Sequence, residues 1–316
     1  MSVPLLPTVL ITNTVPPDVL APLVGVARII QGPADGNVMA RSEVLRLAPS
    51  LAGIVNQGEL RVDAELLDAA PELRVVANVA MGVDNLDLPL MRARGVVATN
   101  VPSAFIESTA DCTLGLILAV TRRLVEADRY VRAGGWTAFQ PGVWDGMLLR
   151  GKTLGLVGYG RIGRAVEQRA RAFGLEVVHH SRTPSSAPGY RPLPALLGES
   201  AIVSLHVPLN ADSRGLIDAT RLRQMPRGAI LINMARGRVV REAELVAALQ
   251  EGHLAGAGLD VFEDEPSVHP VLAGLPQVVL TPHLGGGTRE SRREARLLSV
   301  HNVAAVLTGR PPSTPL

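Results

Sequence analysis

The stretch from Thr153 to Thr183 limits what this chain can fold into more than any other. An apolar run, Leu154-Gly155-Leu156-Val157, leads into Gly158-Tyr159-Gly160-Arg161-Ile162-Gly163, and an amphipathic segment from Arg161 to Phe173 follows. Strand, glycine turn and helix in that order make the first half of a Rossmann unit. Gly158 permits the tight turn. Gly160 lets the backbone approach a pyrophosphate with no side chain in the way, and Gly163 lets the helix pack closely on the strand. The start of the helix offers free N–H groups and the positive end of its dipole. Dinucleotide contacts are therefore expected along Gly158, Tyr159, Gly160, Arg161, Ile162 and Gly163. A glycine-rich turn with no ligand is the plain alternative, and the strand before and helix after it weigh against that.

The second strand of the unit ends at His179-His180-Ser181-Arg182-Thr183. A site that prefers NAD usually carries Asp or Glu here, to accept from the ribose hydroxyls. None is present. Arg182 can fork onto a 2′-phosphate instead, with Ser181 and Thr183 donating to its oxygens. The reading is a preference for NADP(H), with NAD(H) as the alternative.

Short β-branched runs alternate with helical patterns along most of the chain. Thr8–Thr12, Arg28–Gln31, Gly53–Gln57, Leu73–Val79 and Val96–Asn100 read as one series of strands. Thr153–Val157, Glu176–His180, Ile202–His206, Ala229–Asn233, Ala257–Val261 and Val278–Thr281 read as a second. Between them a single long helix is expected from about Ala104 to Arg132. Alternation of this kind predicts an α/β protein with two Rossmann-like domains and parallel sheets. The smaller is expected to be discontinuous, over residues 1–102 and 285–316. The dinucleotide domain would be 103–284.

Composition excludes several classes. Hydrophobic residues make up 47% and charged residues 19%, which fits a folded globular chain. A net charge of +2 gives no basic field for nucleic acid. Arg289, Arg292, Arg293 and Arg296 cluster near the C-terminus. They read as a solvated helix face, with an interface or phosphate role as the other reading. The single cysteine, Cys112, sits in an apolar run and reads as a small core residue. Pro4 and Pro7 interrupt the N-terminal segment, no signal-type segment is visible, and no apolar run is long enough to span a bilayer. A cytoplasmic protein is the expectation. His179, His180, His206, His253, His269 and His301 lack metal-like grouping with Cys or carboxylates, so no metal is expected.

Three charged residues follow predicted strands: Arg236 in Asn233-Met234-Ala235-Arg236-Gly237, Glu265 in Asp260-Val261-Phe262-Glu263-Asp264-Glu265-Pro266, and His283 in Thr281-Pro282-His283-Leu284-Gly285-Gly286. With the glycine turn, the segment Leu205-His206-Val207-Pro208-Leu209 and the long helix, their order and spacing resemble the D-2-hydroxyacid dehydrogenase family across essentially the whole chain. The resemblance implies a 2-ketoacid reductase whose catalytic residues are Arg236, Glu265 and His283. Arg236 would fork onto the substrate carboxylate and keto oxygen. His283 would be the general acid in reduction, and Glu265 would hold its other ring nitrogen so that a proton is available at neutral pH. Glu263 and Asp264 are acidic alternatives to Glu265, with a solvated loop as their plain reading.

The resemblance also implies cofactor contacts at His206, Pro208, Met234, Ala235, Asp260, Gly285 and Gly286. It implies substrate contacts at Ala80, Met81 and Gly82, where the glycine lets backbone come close to a ligand. Met81 would shape the pocket or act as core filler. The catalytic cleft is expected between the two domains, and a homodimer through the region of Trp136, Phe139 and Trp144. Glyoxylate and hydroxypyruvate are the first candidate substrates. A larger aromatic 2-ketoacid is an alternative, as is a nucleotide-sensing corepressor-like protein without turnover.

Overall fold

A computed structural model describes residues 6–184 and 186–316. Pro4 lies outside the described residues. The chain divides into two compact units. One runs to Phe105 and resumes over Thr288–Leu316, and the other is Ile106–Gly287. The sequence boundaries fall at 102 and 284 instead.

The first unit holds β1 (Thr8–Ile11), β2 (Arg28–Gln31), β3 (Leu51–Asn56), β4 (Val75–Asn78) and β5 (Val97–Thr99). They form a parallel sheet in the order β2-β1-β3-β4-β5. Both faces are covered. Ile54 packs into one core with Leu10 and Val76, while Val55 packs into the other with Val9 and Val303. That is why these strands read as near-continuous apolar runs rather than as an alternation. The C-terminal helix Arg289–Leu307 begins at Thr288, whose hydroxyl accepts from the Ser291 N–H.

The second unit holds β6 (Thr153–Val157), β7 (Glu176–His180), β8 (Ile202–Leu205), β9 (Ala229–Asn233), β10 (Leu254–Leu259) and β11 (Val278–Leu280). Its order is β11-β10-β9-β8-β6-β7, again all parallel. Along β9, Leu231 enters one core and Ile230 and Ile232 enter the other. Because every strand runs the same way, the segments following β6, β8, β9, β10 and β11 all emerge at one edge. The order reverses between β6 and β8, which is where doubly wound sheets open a crevice.

The long helix differs from expectation. It is two helices, Ile106–Thr121 and Leu124–Arg132, broken at Arg123, whose φ is +52°. The Thr121 carbonyl accepts from the Met147 N–H at 2.8 Å instead of from the next helical turn. Arg123 turns out to bind Glu126 at 2.7 Å and the Val143 carbonyl at 2.7 Å, and lies 4.8 Å above the Trp144 ring. The break is therefore made by the returning segment 143–147. Periodicity does not register it, because both pieces stay helical.

Candidate active site

The glycine turn is built as a cradle. Gly158 has φ +103°, and a Cβ there would stand 2.5 Å from the His206 carbonyl oxygen, so β6 and β8 approach closely only because this residue is glycine. A Cβ on Gly163 would overlap the Gly158 carbonyl, whereas one on Gly160 would meet nothing within 4 Å. Two glycines are thus packed and the middle one faces open space. The helix Arg161–Ala172 starts there, and its first-turn N–H groups have no partner within the helix. The residues fit a dinucleotide phosphate.

Tyr159 is used differently from the other residues of the turn. Its ring stacks on His179 at 3.6 Å and 9°, and its hydroxyl donates to Glu167. The side chain braces the turn against β7, which leaves its backbone for the expected dinucleotide contact. His179 is fully buried. Burial, outweighing the Pro188 backbone and the nearby Glu167 charge, holds its pKa below the ordinary value. His206 bonds Ser204 Oγ through Nε2 at 2.9 Å, its Nδ1 is unpartnered, and desolvation depresses its pKa to about 4. It is a neutral imidazole beside the turn at neutral pH.

At the end of β7, Arg182 and Thr183 are exposed and no carboxylate occupies the strand end. The Arg182 Nη1 lies 3.5 Å from Asp212 Oδ2, a solvated pair worth little. Ser181 already donates its hydroxyl to the Thr183 carbonyl at 2.8 Å. Pro208 follows β8, and its carbonyl accepts from the Ser213 hydroxyl at 2.6 Å.

Arg236 follows β9 in an extended conformation. Asn233 shapes this turn. Its Oδ1 accepts from the Ala235 N–H at 3.1 Å and its Nδ2 donates to the Arg236 carbonyl at 3.0 Å. Gly237 packs flat against the Phe262 carbonyl, where a Cβ would overlap it. That brings the Arg236 turn onto the loop that carries Glu265. Buried Glu242 accepts from the Glu263 N–H at 2.7 Å and holds the same loop.

Glu265 is the acid that meets the histidine. Its Oε2 stands 2.8 Å from His283 Nδ1 and its Oε1 accepts from the Phe262 N–H at 3.0 Å. Burial alone would raise this carboxyl. The His283 contact, the Phe262 N–H and the Arg236 charge outweigh it and hold it below the ordinary carboxylate range. An ionised carboxylate only accepts, so Nδ1 carries the proton and Nε2 is the outward nitrogen. Of the alternatives, Asp264 pairs with Arg238 at 2.9 Å, and the contact with His283 is made by Glu265, not by Glu263, whose backbone N–H is held by Glu242.

His283 sits at φ +52°, left-handed and unusual for a residue with a side chain. Asp260 holds it there. The Asp260 carbonyl accepts from the His283 N–H at 2.9 Å. Its carboxylate accepts from the Thr281 hydroxyl at 2.6 Å and from the Leu284 and Gly285 N–H groups at 2.8 Å each. Four hydrogen bonds offset a strain of about 1–3 kcal/mol. A Cβ on Gly285 would stand 2.8 Å from Met234 Cε, so Met234, Asp260 and Gly285 meet at one point, with Ala235 buried and Gly286 following. Cys112 is inert beside them, because burial and then the Asp260 charge push its thiol up to about 11.

In the first unit, the Ala80-Met81-Gly82 loop follows β4. Asn100 donates to the Met81 carbonyl and Asn78 to the Gly82 carbonyl, both at 2.9 Å. The two asparagines fix the direction of these peptides. Asn78, Asn100, Asn233, Gly237 and Glu242 are positioning residues that sequence reading missed. Only the placement of the asparagines at strand ends could have signalled them.

Parallel doubly wound sheets, a glycine cradle at the reversal point and a carboxylate-bound histidine define a nicotinamide-dependent oxidoreductase. The chain belongs to the D-isomer specific 2-hydroxyacid dehydrogenase family, whose NAD binding domain model matches residues 114–285. It is 40% identical over 318 residues to a glyoxylate reductase of Thermococcus kodakarensis, covering 98% of this chain and 95% of that one. It is 41% identical over 290 residues to a glyoxylate reductase of Thermococcus onnurineus, covering 89% and 87%. A solved protein of Thermus thermophilus superposes with a TM-score of 0.93 at 44% identity, covering 98% of this chain and 99% of that one. An NADPH-dependent glyoxylate/hydroxypyruvate reductase of Sinorhizobium meliloti, solved with NADP and malonate, superposes at 0.84 with 35% identity, covering 98% and 96%. Among the described residues no helix is long and apolar enough to cross a membrane, and no group of three or more His, Cys, Asp or Glu could hold a metal.

Proposed function

We propose that this protein reduces a small 2-ketoacid, glyoxylate or hydroxypyruvate, to the 2-hydroxyacid, the D-2-hydroxyacid where that product is chiral, with NADPH as the preferred donor. The observation that carries the reading is the 2.8 Å contact of His283 Nδ1 with Glu265. It fixes the ring and leaves Nε2 to give a proton to a keto oxygen. The bound nicotinamide supplies the hydride. Arg236 binds the substrate carboxylate and stabilises charge developing on the oxygen. A proton donor of this kind fits carbonyl reduction and has no task in a bare hydride abstraction such as formate oxidation. The larger unit is the dinucleotide domain. The smaller is the substrate domain, and its Met81 and Gly82 N–H groups bind carboxylate.

The preference for NADPH rests on Arg182 and on the missing acid at the end of β7. Titrating NADPH and NADH against glyoxylate and hydroxypyruvate tests both statements. kcat/KM is expected to be higher with NADPH, and Arg182→Ala is expected to raise the KM for NADPH about tenfold with little change for NADH. Equal or better efficiency with NADH would sink the cofactor reading. The absence of turnover with any ketoacid would sink the reaction.

The homodimer reading is supported by the segment 124–148. Trp136 is 62% exposed and Phe139 84% exposed in the isolated chain, more apolar aromatic surface than a solvated loop needs. Sedimentation at micromolar concentration is expected to give twice the chain mass, and a monomer there would overturn it.

A further inference from the structure

The strand order of the smaller unit reverses between β1 and β3, so the segments after these strands flank a crevice at the sheet edge. Gln57 follows β3. Its N–H donates to Thr12 Oγ1 at 3.2 Å and its Oε1 accepts from Arg296 Nε at 3.4 Å. Its Nε2 is buried without a partner. A buried amide donor left unmade costs about 1–3 kcal/mol unless a ligand or water takes it.

Arg296 departs from the solvated face expected for this arginine cluster. Arg293 does pair with Asp18 at 2.8 Å, but Arg296 is half-buried and makes no ion pair among the described residues. Burial, then the Arg292 guanidinium one turn away, push its pKa below the ordinary value. Like charges at this helical spacing repel. Glu59, whose carboxyl is raised by burial of its acid end, accepts from the Thr12 hydroxyl and forms no ion pair with Arg296 among the described residues. The guanidinium therefore has its Nη groups uncommitted beside an uncommitted amide N–H. Beyond the Gln57 Oε1 that accepts from Arg296 Nε, the guanidinium and the amide Nε2 offer donors to which no carboxylate is paired among the described residues.

The position is next to the substrate loop. A Cβ on Gly58 would stand 3.1 Å from that of Ala80, so the Gln57-Gly58 segment lies against Ala80-Met81-Gly82. We infer that Arg296 and Gln57 form a subsite for a second anionic group, at the far end of a 2-ketoacid that carries a terminal carboxylate or phosphate. The inference rests on the reading that the Ala80–Gly82 loop holds substrate. Glyoxylate would then be accepted as the truncated member of a dianionic class. Arg296 is a specificity residue here and plays no part in the proton transfer.

The test uses the full chain with NADPH. kcat/KM is measured for glyoxylate, for four- and five-carbon 2-keto dicarboxylates, for a phosphorylated three-carbon 2-ketoacid, and for uncharged 2-ketoacids of matching length. The wild type is expected to favour one dianion over its uncharged match by about tenfold or more. The dicarboxylate and phosphate arms show which group the subsite takes. Arg296→Met is expected to remove that preference, to leave glyoxylate within about threefold, and to melt near the wild type, with Arg296→Lys in between. No dianion preference in the wild type, or an equal loss on all substrates in Arg296→Met, overturns the inference. Calorimetric titration with a 2-hydroxy dicarboxylate and its monocarboxylate match separates the two readings. Arg296-dependent dicarboxylate binding without any ketoacid turnover would sink the reductase reading alone. Binding indifferent to Arg296 would sink the subsite alone.

Discussion

His283→Ala is expected to lower kcat for ketoacid reduction by about a thousandfold while leaving the Kd for NADPH within about threefold. The imidazole is bound through Nδ1 to Glu265 and makes no part of the glycine cradle. On the proposed mechanism its removal takes away the proton donor and spares the phosphate contacts. Single-turnover reduction with dinucleotide binding measured separately reads both numbers. A fall in kcat of less than tenfold would mean another group donates the proton.

The same pair sets an acid limit. The Glu265 carboxyl binds its proton more weakly in the fold than in the unfolded chain, since His283, the Phe262 N–H and Arg236 favour its charge. The stabilisation from the pair is therefore present above the ordinary carboxylate range. It is lost as pH falls through the lowered pKa, where a protonated Glu265 no longer holds Nδ1–H as an ionised acceptor.

Gly237→Ala is the second large effect. An added Cβ overlaps the Phe262 carbonyl, and neither partner is the free end of a flexible side chain. One backbone must move. The cost is about 3 kcal/mol, a fall in melting temperature of about 6–12 °C. The displaced turns carry Arg236 on one side and Glu265 on the other. A shift of about 1 Å between them is expected to cost about a hundredfold in kcat/KM as well. Calorimetry and steady-state kinetics on one preparation check the two together. A variant with wild-type melting and wild-type kcat/KM would show that the Gly237 contact does not couple the turns.

How far the site could be read in advance follows from range. Gly158, Gly160 and Gly163 declare themselves because a tight turn, an open approach and a close packing are each local demands on one residue. The strands were legible for a related reason. A parallel strand covered on both faces needs a nearly unbroken apolar run, as β3 and β9 have, whereas β2 and β7 at the sheet edges carry polar ends. The helix break at Arg123 was not legible, because a carbonyl is diverted there by Met147, far along the chain.

The Thr153–Thr183 pattern and the motifs around Arg236, Glu265 and His283 were determined by sequence alone. They name the fold and a nicotinamide-dependent oxidoreductase of this family, since each is a choice of residue type at a spacing. The tertiary structure decided which acid meets the imidazole. The family resemblance singles out Glu265 over Glu263 and Asp264, but the contact itself depends on the path of the loop, held by Glu242 and by the missing side chain of Gly237. It also separated Arg296 from Arg293 on one helix. Whether a charge is solvated or half-buried depends on what packs beside it, and neighbours distant in sequence supply that.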